Sequence, residues 1–226
     1  MKTKRITESA MLIAMAVVLE LVSKAIIPEM PFGGQITLCS MLPVVLISYR
    51  HGVRWGLLSG AAYAMVQMLL GAKTVAAAFQ PGYFGDGTLI VNALIMCLLD
   101  YLLAYTLLGL GGCFRGKFSQ KAVEPAQKKS GAPAELCLGS VVALSARYAA
   151  HILSGYILFS GWAEWFFTQE GFPGWGAALV ERLSPAALGL TYSVVYNGMY
   201  MLPELVITAV AAALLGRNSQ ITAKVS

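Results

Sequence analysis

Charge is what this sequence has little of. Asp, Glu, Lys and Arg make up only 12% of its 226 residues, about half the share of an ordinary soluble domain. Hydrophobic residues make up 58%, and the mean hydropathy is +0.69. A soluble fold of this length cannot hide so much apolar surface, whereas a bilayer accepts it. Cysteine is sparse as well. Cys39, Cys97, Cys113 and Cys137 form no CxxC pair, so neither a zinc site nor a disulfide framework is supported, and no metal is expected. The thiols read as small packing residues. No HExxH, GxSxG or paired catalytic carboxylates occur, so no catalytic residues are assigned. The stretch from Gly111 to Lys117 has the spacing of a phosphate loop, but Phe118 stands where Ser or Thr should bind magnesium, and no strand precedes it. The net charge of +5 comes without a basic stripe with interleaved aromatics, so no nucleic-acid partner is expected.

What is present is a series of long apolar runs. They predict an all-α integral membrane protein, a single membrane domain over 1–226, with six transmembrane helices. The spans are placed at about 6–27, 36–49, 55–70, 88–110, 136–159 and 186–215, with loops at 71–87 and 160–185 and a basic hydrophilic linker at 111–135. Pro28 and Pro31 stop the first span, Pro43 kinks or tilts the short second one, and Pro203 kinks or interrupts the last. The first run follows Lys2, Lys4 and Arg5 as a signal peptide would. It is longer than a signal core and carries Glu20 and Lys24, so it reads as a retained span.

Orientation follows from the basic residues. Of the 16 Lys and Arg, all but Lys24, Lys73, Arg147 and Arg182 fall in the two tails, the 50–54 turn or the 111–135 linker. That asymmetry places both termini in the cytoplasm. The opposite loops hold Glu29, Asp86, Glu164, Glu170 and Glu181, with Trp residues suited to an interfacial belt.

An ionisable residue within a span is costly and therefore a candidate for function. Asp100 lies in span 4, and Arg147 and His151 sit four apart on one face of span 5. Tyr192, Tyr196 and Asn197 lie in the outer half of span 6. Together they would suit a small polar cation with an aromatic ring. The acid offsets the charge, the rings stack, and the amide and imidazole direct hydrogen bonds. The residues alone leave a second arrangement open, in which Asp100 pairs with Arg147 and the other polar groups stitch helices together. A third is an intramembrane hydrolase built on Asp100 and His151, although no Ser or Cys nucleophile is clearly placed. Glu20 and Glu204 are weaker candidates that snorkel or pair locally.

At these motifs the sequence resembles the thiamine-specific substrate-binding (S) components of energy-coupling factor vitamin transporters. The likeness spans about residues 5–215 and is carried by Met30-Pro31-Phe32-Gly33-Gly34-Gln35, Leu99-Asp100-Tyr101, Arg147-Tyr148-Ala149-Ala150-His151 with Ser154-Gly155, and Tyr192-Ser193-Val194-Val195-Tyr196-Asn197. It implies a six-helix bundle in the bacterial plasma membrane that binds thiamine from outside, as ligand rather than cofactor. It implies substrate binding by Asp100, Tyr101, Arg147, His151, Gly155, Phe159, Tyr192 and Asn197. Gly34 and Phe159 stand where some members carry Trp, with Phe159 or Trp162 left to supply the aromatic lid. The likeness also implies partners: a transmembrane coupling subunit, docking on Ala10 and Ala14, and two ATPases. An S component for another vitamin or a thiamine precursor is the neighbouring alternative.

Overall fold

The computed structural model describes residues 2–30, 33–84, 89–118 and 131–222. Within them the regular elements are all helices. They are α1 (Lys2–Ile26), α2 (Leu42–His51), α3 (Val53–Leu70), α4 (Ala72–Ala78), α5 (Leu89–Gly112), α6 (Ala132–Phe159), α7 (Ala163–Thr168), α8 (Trp175–Arg182) and α9 (Pro185–Leu215). Four stretches are long and apolar enough to cross a membrane: Thr3–Ile26, Leu89–Gly112, Ala132–Thr168 and Pro185–Leu215. A fifth arises if α3 and α4, which meet at a 76° bend, count as one broken span. The chain is thus a multi-pass membrane protein. Pro31, Phe32, Asp86, Lys121, Lys128, Lys129 and Lys224 of the sequence motifs lie outside the described residues.

The second predicted span is not helical over 36–41; helix begins only at Leu42. Two backbone donors there are taken by side chains from other helices. Glu204 of α9 accepts from Thr37 N at 2.5 Å and Thr37 Oγ1 at 2.7 Å, and Ser23 of α1 accepts from Leu38 N at 2.8 Å. Pro43 therefore occupies the first turn, where its missing N–H costs nothing, rather than a kink within a longer helix. The loop at 71–87 contains α4, and the loop at 160–185 contains α7 and α8. The hydrophilic linker is shorter than 111–135, because α5 runs to Gly112 and α6 starts at Ala132. Pro203 does not end α9, which runs unbroken for 31 residues from Pro185 to Leu215.

The bundle is tightest where glycines bring backbones together. A Cβ on Gly139 of α6 would meet the Gly111 carbonyl oxygen, and one on Gly109 would meet the backbone of Gly56 and Leu57. Nearby, the buried Glu135 carboxylate gathers three donors: Tyr49 Oη at 2.9 Å, Gly116 N at 2.8 Å and Phe118 N at 2.9 Å. It thereby ties the segment after α5 to the first turn of α6. Glu135→Ala would strand those donors, and thermal unfolding in detergent should show a loss of about 2 kcal/mol.

Candidate functional site

Helix α5 departs from α-geometry over Cys97–Leu103, which forms π-type turns. Such insertions in an α-helix often sit at functional sites, and this one carries Asp100 and Tyr101. Asp100 reaches α6 through both oxygens. Oδ1 lies 2.8 Å from His151 Nδ1, and Oδ2 accepts from Ser154 Oγ at 2.6 Å. Its side chain keeps 21% exposure, against 8% for His151. The carboxylate is thus fixed by two partners yet still open on one side.

Arg147 does not pair with Asp100. Its guanidinium stacks over the Tyr105 ring at 4.4 Å, donates to Tyr105 Oη at 3.1 Å and to Met41 Sδ, and leaves Nε without a hydrogen-bond partner among the described residues. The alternative arrangement, an Asp100–Arg147 pair, is therefore absent among the described residues, because a cation–π contact holds the guanidinium on the α5 ring. On α9, Asn197 is locked. Nδ2 donates to His151 O at 3.2 Å and Ser193 O at 2.9 Å, and Oδ1 accepts from Tyr200 Oη at 2.7 Å. The Tyr192 and Tyr196 rings lie 5.6 Å apart, and Tyr196 Oη donates to Gly33 O at 3.1 Å, holding the α1–α2 connection over the helices.

These groups surround a single cavity of about 110 Å³. All eight residues singled out as substrate-binding line it: Asp100, Tyr101, Arg147, His151, Gly155, Phe159, Tyr192 and Asn197. His151 Nε2 is buried without a hydrogen-bond partner among the described residues. Glu20, Glu29 and Asp100 are the lining acids, set against Lys24 and Arg147.

Residues 6–224 match the profile of the thiamine transporter protein family (Thia_YuaJ). The chain belongs to this family. It is 30% identical over 213 residues to the thiamine transporter ThiT of Bacillus subtilis strain 168, covering 93% of this chain and 89% of that protein. A solved structure of ThiT from Listeria monocytogenes shares its fold with a TM-score of 0.63 over 98% of both chains, at 18% identity. The family is one of transport proteins, which sets aside the hydrolase reading of Asp100 and His151.

In this family member the aromatic rim takes a particular form. Gly34 has φ +90° and abuts the Tyr200 ring, so no side chain fits there. Phe159 does line the cavity, packed on Phe84 at 5.3 Å and Tyr83 at 5.9 Å. Trp162 is not a lining residue; it donates to Tyr83 O at 3.2 Å and so braces the loop carrying Tyr83. Burial pushes the Tyr83 phenol up to about 12, with Asp100 and Glu29 adding to the rise, so it stays a proton donor at neutral pH. Gly155 lines the cavity but chiefly lets α6 meet α9, since a Cβ there would strike Ser193 and Asn197. Ala10 and Ala14 lie on an exposed face of α1, away from the cavity.

Sequence reasoning missed Tyr105, Tyr200, Gln67 and Met41, all lining residues. Two were legible. Tyr105 follows Tyr101, and Tyr200 follows Tyr196, at the four-residue spacing that marks one helix face. Met41 and Gln67 carry no such signal.

Proposed function

We propose that this chain is the substrate-binding (S) subunit of an energy-coupling factor transporter and captures thiamine from outside. The observation that carries the reading is Asp100, held by His151 and Ser154 and open to a cavity ringed by tyrosines, in a chain of the thiamine transporter family. Thiamine joins a cationic ring to a neutral aminopyrimidine. A carboxylate among aromatic faces suits the first, and hydrogen-bonding side chains suit the second. Asp100, Tyr101, Arg147, His151, Gly155, Phe159, Tyr192 and Asn197 form the binding set.

The proposed setting is the bacterial plasma membrane, crossed six times by α1, α2, α3 with α4, α5, α6 and α9, with both ends cytoplasmic. The distribution of Lys and Arg supports that orientation. Helix α2 alone is 10 residues long, about 15 Å at 1.5 Å per residue, so it crosses together with the non-helical stretch before it. Uptake draws on a transmembrane coupling subunit and two ATPases. The exposed α1 face of Ala10 and Ala14, flanked by Met11, Met15 and Val18, is the proposed docking surface.

Purified in detergent without ATP, the chain is expected to bind thiamine saturably, and a panel of other vitamins and the free pyrimidine precursor should compete poorly. Absence of saturable thiamine binding overturns this reading. Tighter binding of another panel member would redirect it to that compound.

A further inference from the structure

Most polar members of the binding set are held in place by hydrogen bonds. Asp100 and His151 hold each other, Asn197 is tied to α6 and to its own helix, and Arg147 is tied to Tyr105. Tyr192 is different. It lines the cavity and is 1% exposed. Whereas Tyr196 Oη donates to Gly33 O at 3.1 Å, the Tyr192 hydroxyl makes no hydrogen bond among the described residues. Its ring is held by other rings. Tyr196 lies at 5.6 Å, and Phe166 of α7 lies at 5.2 Å with the two planes at 70°.

Phe166 is buried but is not a lining residue. Helix α7 turns Ala163, Phe166 and Phe167 inward and leaves Glu164, Trp165 and Thr168 exposed. The Phe166 ring meets Tyr192 and Tyr196 edge to face, the second at 5.8 Å and 71°. Phe167 and Phe172 pack against it at 5.2 and 5.3 Å, and Phe172 rests in turn on Trp175 of α8 at 4.9 Å. Edge-to-face contacts fix the angle between rings as well as their distance. A tyrosine left to swing would have to be ordered when the ligand arrives, at a cost in affinity. We propose that Phe166 is a positioning residue for ligand binding. Its ring, wedged from the α7–α8 side, holds Tyr192 in the orientation that presents the free hydroxyl to the ligand. This rests on the thiamine reading and on the place of Tyr192 in the binding set. It gives the excursion between α6 and α9 a part in the site that no lining residue reveals.

The test is a double-mutant cycle read by thiamine affinity in the purified full chain. Phe166→Leu keeps an apolar side chain in place but removes the ring edge. It is expected to weaken thiamine by about 5- to 20-fold, the scale of losing edge contacts to two tyrosines. The same substitution in a Tyr192→Leu chain, where there is no ring left to orient, should change affinity by less than about twofold, a non-additivity that a distant or purely structural effect does not produce. A core residue with no part in binding would lower the melting temperature in both chains and leave the affinity of the folded protein as it was. Phe166→Leu that binds as wild type does, an equal loss in both chains, or a Tyr192→Leu chain of undiminished affinity each overturns the assignment. If Phe166→Leu does not fold, Phe166→Met, with a more adaptable side chain, goes through the same cycle with the same criteria. Failure of the wild-type protein to bind thiamine overturns the reading beneath the proposal instead.

Discussion

Asp100→Ala is expected to weaken thiamine binding by about 3 kcal/mol or more, roughly 150-fold, as breaking a buried charged pair does. Three losses act together. The cationic ring loses its carboxylate in a low-dielectric cavity. His151 loses the 2.8 Å contact that fixes its ring, and Ser154 Oγ loses the acceptor it reaches at 2.6 Å. Asp100→Asn separates the charge from the geometry, because an amide oxygen can still accept from Ser154. The Asn variant should melt close to wild type yet lose most of the affinity. Titration of both variants by fluorescence or calorimetry reads the effect. An Asn variant that binds as wild type does would mean that the carboxylate's charge plays no part in holding the ligand.

Much of this candidate site is legible in the sequence. The spacing of Arg147 and His151 put them on one face, and their depth matched that of Asp100. All three line the cavity. What one-dimensional depth could not settle was the choice of partner. Asp100 and Arg147 sit at similar distances from the same side, so opposite charge alone suggests that they pair. The π-type turns of Cys97–Leu103 rotate Asp100 relative to an ordinary α-helix and deliver it to His151, while Tyr105 claims the guanidinium. No local propensity announces such an insertion. The start of α2 was hidden for a similar reason. Residues 36–41 are apolar enough to read as a span, but Glu204, 167 residues away from Thr37 in sequence, takes both Thr37 donors, and Ser23 of α1 takes Leu38 N. Helix α4 is different. Its Ala-rich run favours helix and was obscured only by the glycines and aromatics around it. Long helices are legible because periodic burial in lipid imposes length and hydropathy. Short ones lean on contacts that arise only after folding.

The junction of α6 and α9 gives the second large effect. Gly155→Ala is expected to destabilise the fold by about 3 kcal/mol, the upper part of the range for overpacking, and to weaken thiamine binding with it. The added Cβ would press on Ser193 Oγ and lie 3.0 Å from Asn197 Nδ2 and 3.2 Å from Ser193 Cβ. Ser193 cannot simply turn aside, because its hydroxyl donates to Ile152 O at 2.7 Å. Asn197 cannot move without releasing His151 O, Ser193 O and Tyr200 Oη at once. The strain is thus transmitted to the ring and amide that face the cavity. If the hydroxyl is the main obstacle, Ser193→Ala in the same chain should recover at least half of the lost melting temperature, a non-additivity expected of side chains in direct contact. Binding should recover less, since the methyl remains against Asn197 Nδ2. A Gly155→Ala protein that melts and binds as wild type does would show that α6 and α9 have room to part, and that the glycine serves the site in some way other than close approach.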